Sequence, residues 1–451
     1  MKNASKLLAL GIFVMSLALA GCSKKESHVY SSLKDPATAA QLKQFITEKK
    51  LQASAAADKP SPEFDEFLAA AERGDWVTVS NRLGHLLRGP GGNQLSGPRS
   101  AVVREVWGAL EAFGAGDEKY SALFGNDIIH SIPPGSIYFG GTDPGRFVVT
   151  AMQKSQVKGD PFFTLTQNAM ADGTYLDYLR SMYDGRIYTP TAEDSQRCFQ
   201  EYMADAEQRQ QKNQLKPGEI VTRDANGHVQ VSGQVSVMEI NGLICKVIVD
   251  KNPDREFYIE ESFPLDWMYP YLEPHGIIFK LNHQPVSSIS DDIIQSDHDC
   301  WTKYANQMIG GWLHDDTSVK TICEFAEKVF LNKHFGSYGA DRRFIENADA
   351  NKTFSKERSS IGGLYVWRAQ HATGLDEKQR MTDAADFAFR QAFALCPYSP
   401  EAVYRYSQLL VDENRGNDAY LIAETAAKFK TDSTPQLQSL AGQLRRYQTA
   451  N

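Results

Sequence analysis

Asp143, Asn168, Glu260 and Glu261 are the side chains whose type and setting best suit chemistry. Each lies at or just beyond the carboxyl end of a β-rich run. Open α/β sheets hold their ligands there, because the loops present backbone N–H groups and helix N-termini. Carboxylates meeting on such a rim can do acid and base work or bind a cation. The first loop reads Gly140-Gly141-Thr142-Asp143-Pro144-Gly145-Arg146. Its glycines permit close backbone approach, Asp143 can accept hydrogen bonds from a hydroxylated ligand, and Arg146 opens the next helix. The same residues also suit a tight turn in which Asp143 caps a helix beginning at Pro144. Neither a dinucleotide fingerprint nor a P-loop is present. Trp267, with Tyr269 and Tyr271, offers a flat face for a sugar ring, although aromatics at helical spacing also build cores.

Other constellations carry less. Asp297-His298-Asp299 and His314-Asp315-Asp316 look like metal clusters, but neighbouring side chains point apart, so they read as surface polar residues and no metal is expected. No nucleophile elbow, Cys-His pairing or His-Glu-x-x-His motif occurs, and no cofactor is implied.

These residues need a scaffold. Short strands are predicted at Ser136–Phe139, Phe162–Thr166, Glu256–Glu260 and Gly276–Leu281, separated by helices at 147–153, 171–183, 195–211, 232–250 and an aromatic helix at 264–272. Valines alternate with polar residues from Val229 to Val237 before helical spacing takes over. Alternating strands and helices predict an α/β domain with a mainly parallel sheet over 131–290. Before it, Phe64 to Leu87 predicts a helical hairpin turning at Arg73-Gly74-Asp75, and Ser100 to Phe113 a third helix, within a helical segment over 63–130. A helical connection over 291–360 follows. In the last stretch, 361–451, Ala385, Phe389 and Ala392 recur 34 residues on as Ala419, Ala423 and Ala426, with Pro397 closing the first unit. That spacing is similar to the tetratricopeptide repeat, whose small residues let paired helices approach closely. The C-terminal repeats are the expected protein-contact surface.

The N-terminus addresses the chain. Lys2 and Lys6 precede an apolar run from Leu7 to Ala20 that ends in Leu19-Ala20-Gly21-Cys22. At about 14 residues this run is too short to cross hydrocarbon and reads as a signal peptide (1–21) closing on a lipobox. Cys22 is the expected lipidation site, followed by a tether over 22–62. Three acyl chains on one residue anchor firmly to a membrane. Ser23, rather than an aspartate, favours the outer membrane. The most apolar later stretch, Val235 to Val249, is broken by Glu239, Asn241 and Lys246. The formal net charge of -8, with no basic run beyond the signal peptide, argues against nucleic acid as partner. Besides Cys22, Cys198, Cys245, Cys300, Cys323 and Cys396 are irregularly spaced without a Cys-x-x-Cys pair, and are expected as buried small hydrophobes.

Four segments resemble a known family: IYFGGTDPGRF (137–147), LTQNAMADGTYLDYLRSMY (165–183), FYIEESFPLDWMYPYLEPHGIIFKL (257–281) and FALCPYSPEAVYRYSQLL (393–410). They look like the extracytoplasmic part of bacterial membrane proteins similar to protein O-mannosyltransferases, which join a GT-C-type membrane half to an α/β portion and helical repeats. The likeness runs over roughly residues 60 to 430. In such transferases the catalytic acid and lipid-sugar site lie in the membrane half, which has no counterpart here, so no catalytic residue carries over. The resemblance implies an accessory or recognition module of a glycosylation-related system with a glycan as possible ligand. The alternatives are an enzyme acting on envelope glycans through Asp143 and Glu260 or Glu261, and a purely structural envelope component.

Overall fold

The chain is described by a computed structural model covering residues 29–54, 61–88, 95, 98–114, 118–224, 227, 229–260 and 265–448. Cys22 and Glu261 lie outside them.

Six helices come first: α1 (Val29–Ser32), α2 (Pro36–Ser54), α3 (Pro62–Arg73), α4 (Trp76–Arg88), α5 (Pro98–Gly114) and α6 (Glu118–Ser131). Local chemistry sets the expected hairpin. Ser61 caps α3 by accepting the Phe64 N–H, and Gly74 ends it at a φ of 72°, a left-handed conformation that glycine adopts without a Cβ penalty. The third helix starts at Pro98, two residues before the expected Ser100 cap.

The expected tether is corrected in its described part: the helices Val29–Ser32 and Pro36–Ser54 belong to the folded body. Leu42, Phe45, Ile46, Lys49 and Ala53 recur on one face of α2 and are all buried. A polar composition hid this stripe. Lys49 is completely enclosed, and its ammonium lies 2.6 Å from Glu105 Oε2 on α5 and 2.5 Å from the Tyr178 hydroxyl. Tyr178 itself donates to Glu105 over 2.6 Å. Burial pulls the Lys49 ammonium below the ordinary lysine range while Glu105 pulls it back.

The sheet has β1 (Ile137–Gly140) at its heart. After β1, a π-helical turn (Pro144–Val148) and α7 (Val149–Met152) lead to β2 (Phe163–Thr166), then α8 (Gly173–Tyr183) and α9 (Ala192–Gln211). A hairpin of β3 (Ile220–Arg223) and β4 (Val229–Ser232) precedes α10 (Gln234–Lys251), β5 (Phe257–Glu260), β6 (Leu272–His275) and β7 (Ile278–Leu281). The spatial order is β2-β1-β5-β7-β6. β1 pairs parallel with β2 and β5, whereas β7 pairs antiparallel with both β5 and β6, so the sheet is mixed rather than mainly parallel. The change comes from the aromatic segment after β5. Among its described residues it forms no α-helix but a short 3₁₀ turn over Tyr269–Tyr271 that runs into β6. Pro270 has no N–H to continue a helix. The carbonyls of Tyr269, Pro270 and Leu272 are instead drawn by the Arg368 guanidinium at 3.0 to 3.3 Å. The valine alternation resolves at Gly233 (φ 89°), with strand before it and helix after.

The remainder is helical: α11 (Asp291–Ile309), α12 (Val319–Phe325), α13 (Arg342–Glu346), α14 (Ala348–His371), α15 (Leu375–Leu395), α16 (Pro400–Asp412), α17 (Gly416–Ala427) and α18 (Thr434–Gln448). From α14 on, each helix packs on the next. Ala385, Ala388, Ala392, Ala419, Ala423 and Ala426 are fully buried in this array. α14 runs through the boundary expected near residue 360, and one hydrophobic core extends from Val29 to Leu444. No helix among the described residues is long and apolar enough to cross a membrane.

Two predictions follow from the interior. Lys49→Met strands the Glu105 carboxylate and should lower unfolding stability by about 3 kcal/mol in urea titration, whereas adding Glu105→Leu should recover more than half. Of the five described cysteines, four are buried and Cys300 is half-buried, and none is in a disulfide. Burial pushes the Cys300 thiol up to about 11 and those of Cys323 and Cys396 up to about 12. Maleimide at pH 8 should therefore label the native protein far more slowly than the unfolded one, with Cys300 reacting first.

Candidate functional site

Register brings the three parallel strand ends together. Gly140 lies opposite Thr166 on one side and Glu260 on the other. The chain leaves β1 toward β2 and later returns to place β5 on the opposite flank. The β1–β5 boundary is thus the point of topological reversal, where open α/β sheets form a crevice.

The crevice is closed by the protein's own carboxylate. Glu260 is fully buried and directed inward, not onto an open rim. Its Oε2 accepts the Gly141 and Thr142 backbone N–H groups at 2.7 and 2.8 Å, and its Oε1 accepts the Thr142 hydroxyl. Thr142 Oγ1 in turn accepts the Gly145 N–H at 3.1 Å, and the Tyr138 hydroxyl donates to the Gly145 carbonyl at 2.9 Å. Burial, reinforced by the negative charge of Glu260, holds Tyr138 protonated as that donor. A Cβ on Gly145 would lie 1.8 Å from Glu260 Oε2, so a side chain there and the seated carboxylate exclude each other.

A second set of bonds fixes the loop from the β2 side. Asn168 Nδ2 donates to the Gly141 carbonyl at 2.7 Å. The buried Asn241 of α10 donates to the Asn168 carbonyl at 3.2 Å and accepts the Ala171 N–H at 2.6 Å. Asp172 caps α8 through the Thr174 N–H.

What remains for a ligand is small and polar. Asp143 is exposed and pairs with Arg146, whose guanidinium lies 4.4 Å from the Phe147 ring centroid. Asp143 makes no capping bond to the turn at Pro144, so that alternative for this residue is not realised. Arg146 Nε, Asn168 Oδ1 and both side-chain amide atoms of Gln167 are buried without a protein partner. Such atoms are where an ordered water or a small polar ligand gains most. Trp267 is half-buried, donates to the Gly242 carbonyl at 3.0 Å and meets Tyr271 edge-on, while Tyr269 stacks on Trp367, so the three aromatics do not form one platform. Asp297 and His298 point apart, but Asp297 corrects the expectation of a surface polar residue, because it is buried. Asp297 turns inward to the buried Arg358 at 2.8 Å, and His298 turns outward to Asp315 at 2.9 Å. No group of three metal-ligating side chains occurs among the described residues.

Tyr138, Thr142, Gly145, Gln167 and Asn241 escaped sequence reasoning. Gly145 alone left a signal, as the third glycine of a loop that needed only two to turn. Glu260 is held by three hydrogen bonds within the scaffold, so the described rim does not present a pair of free carboxylates.

Glu260→Ala leaves buried N–H and O–H groups without an acceptor and should cost about 3 kcal/mol in stability. Gly145→Ala should destabilise comparably by displacing the same carboxylate. Asp143→Ala breaks only an exposed pair and should cost less than about 0.5 kcal/mol; equal losses in all three, measured by denaturant titration, would refute this division. Comparison of the chain with protein-family models, with curated proteins and with solved structures finds no match to any of them.

Proposed function

We propose that this chain is a lipid-anchored envelope protein that binds rather than catalyses, acting as the accessory or recognition module of a glycosylation-related system. Its C-terminal helices serve as the protein-contact surface. The observation that carries this reading is the array from α14 to α18. Ala385 and Ala392, and their counterparts 34 residues on, Ala419 and Ala426, are fully buried within it. Arrays of this kind present a continuous surface assembled from successive helical pairs, and tetratricopeptide-like repeats use it to hold protein segments. Gly362 fits the same logic, since a Cβ there would lie 2.7 Å from the Phe389 ring.

The family-like segments support the reading from another direction. Residues 137–147 form β1 and its loop, 165–183 span the end of β2 and all of α8, and 257–281 carry the β5–β7 edge. These stretches build the scaffold and the Glu260 cradle. In this proposal the exposed Asp143 and the half-buried Arg146 contact a hydroxylated ligand such as a glycan, with the unpaired Gln167 amide and Asn168 Oδ1 as further polar groups. The envelope location rests on the signal peptide and on Cys22.

Two measurements test the proposal. Photo-crosslinking residues at Gln438 and Gln443, exposed on α18, should give discrete protein adducts in intact envelopes, and the same residue at Gln200 on α9 should not. Adducts from Gln200 alone would overturn the assignment of the contact surface. A panel of envelope saccharides should raise the thermal midpoint of the protein, and Asp143→Ala should remove that rise. A ligand at about 100 times its dissociation constant contributes roughly 2.7 kcal/mol, well above detection.

A further inference from the structure

The proposed anchor and the folded body are joined by very little chain. Six residues separate Cys22 from Val29, so the two are seven Cα steps apart and a leash between them spans at most about 25 Å when fully extended. Val29 is a fixed point of the body. It is 1% exposed, its N–H donates to the Gly74 carbonyl at 2.9 Å, and its side chain fills the space that a Cβ on Gly114 would need. Tyr30 lies against Gly74 and donates to the Ala71 carbonyl at 3.0 Å. The Lys34 and Asp35 N–H groups are then both held by the Glu118 carboxylate, at 2.7 and 2.9 Å. The chain therefore enters the body at one spot and cannot peel away without breaking these bonds.

A body of this size has a radius of gyration of about 22 Å and a diameter of roughly 55 Å. A 25 Å leash is less than half of that, too short for the far side to turn toward the bilayer. We propose that, resting on acylation of Cys22, the face around Val29, Gly74 and Glu118 lies against the lipid surface and sets the orientation of the whole protein.

The side chains bordering that face suit a headgroup layer. Lys34 and Arg73 are exposed cations, and Val77, three residues beyond Gly74, is half exposed. Leu51 is 68% exposed and follows Lys50, whose ammonium reaches Glu72 at 2.8 Å, two residues before Gly74. Apolar side chains beside cations are the combination that interfacial contacts use.

The test uses the full-length acylated protein on vesicles containing anionic lipid, with a fluorophore on Lys34→Cys, Val77→Cys or Gln230→Cys; the last lies in the β3–β4 hairpin, which packs on α9 and α10. Quenching by headgroup-labelled lipid should be at least twofold stronger at positions 34 and 77 than at 230. Inserting twenty Gly-Ser residues after Ser27, roughly 70 Å of added contour, should erase most of that difference. Equal quenching at all three positions in an acylated, vesicle-bound chain would overturn the orientation alone. A mature chain whose mass shows no acyl group on Cys22 would overturn the anchoring reading, and the orientation with it.

Discussion

A carboxylate taken out of water must be given hydrogen-bond donors, and Glu260 obtains all of its donors from a single loop. That demand organises the α/β part of the molecule. The strand that carries Glu260 has to lie beside β1 in parallel, in the register that sets it opposite Gly140. The loop has to turn so that two consecutive N–H groups face inward, and Gly145 has to lack a side chain. In many open α/β sheets such N–H groups hold a ligand's anionic group. Here a residue from the neighbouring strand takes that place, and the crevice becomes part of the scaffold. In the proposed function, ligand contact falls instead to Asp143 and Arg146.

A second buried charge shapes the helical layer. Lys49, Glu105 and Tyr178 come from three separate helices, α2, α5 and α8. Removing the lysine leaves the buried carboxylate without its cation, so the cluster ties the N-terminal helices to the sheet-covering helix α8. Asp297, Arg358 and Tyr365 do the same between α11 and α14. Through these two clusters and the shared core, the repeat-like helices, the sheet and the entry point of the chain become one mechanical unit. An anchor that orients the N-terminal face would thereby orient the C-terminal helices too.

Much of the scaffold was legible from residue patterns, for reasons that stay local. The turn at Gly74, the strands β1, β2 and β5, the capped α8 and α9 and the terminal helices all follow from periodicity and capping that act within a few residues. The failures share the opposite character. The tether expected over 22–62 overlooks α2 because its apolar stripe is thin and includes a lysine whose partner stands 56 positions away in sequence. The helix expected after β5 rests on aromatics at helical spacing, yet its carbonyls are claimed by Arg368, roughly a hundred residues later. Residue type singles out Glu260 but not its direction, since alternation along a strand does not say which side of a mixed sheet is closed.

The sequence by itself determined the α/β character and the spacing of small residues in the last helices, and it supplies the N-terminal pattern ending at Cys22 on which the proposed export and lipidation rest. Each of these is a property of neighbouring residues. Only the tertiary structure decided that the chain from Val29 to Ser54 belongs to the body, that the sheet turns antiparallel beyond β5, and that the rim carboxylate is an internal ligand. These outcomes depend on which donor meets which acceptor across long stretches of chain, and burial makes those pairings obligatory without writing them into any local pattern.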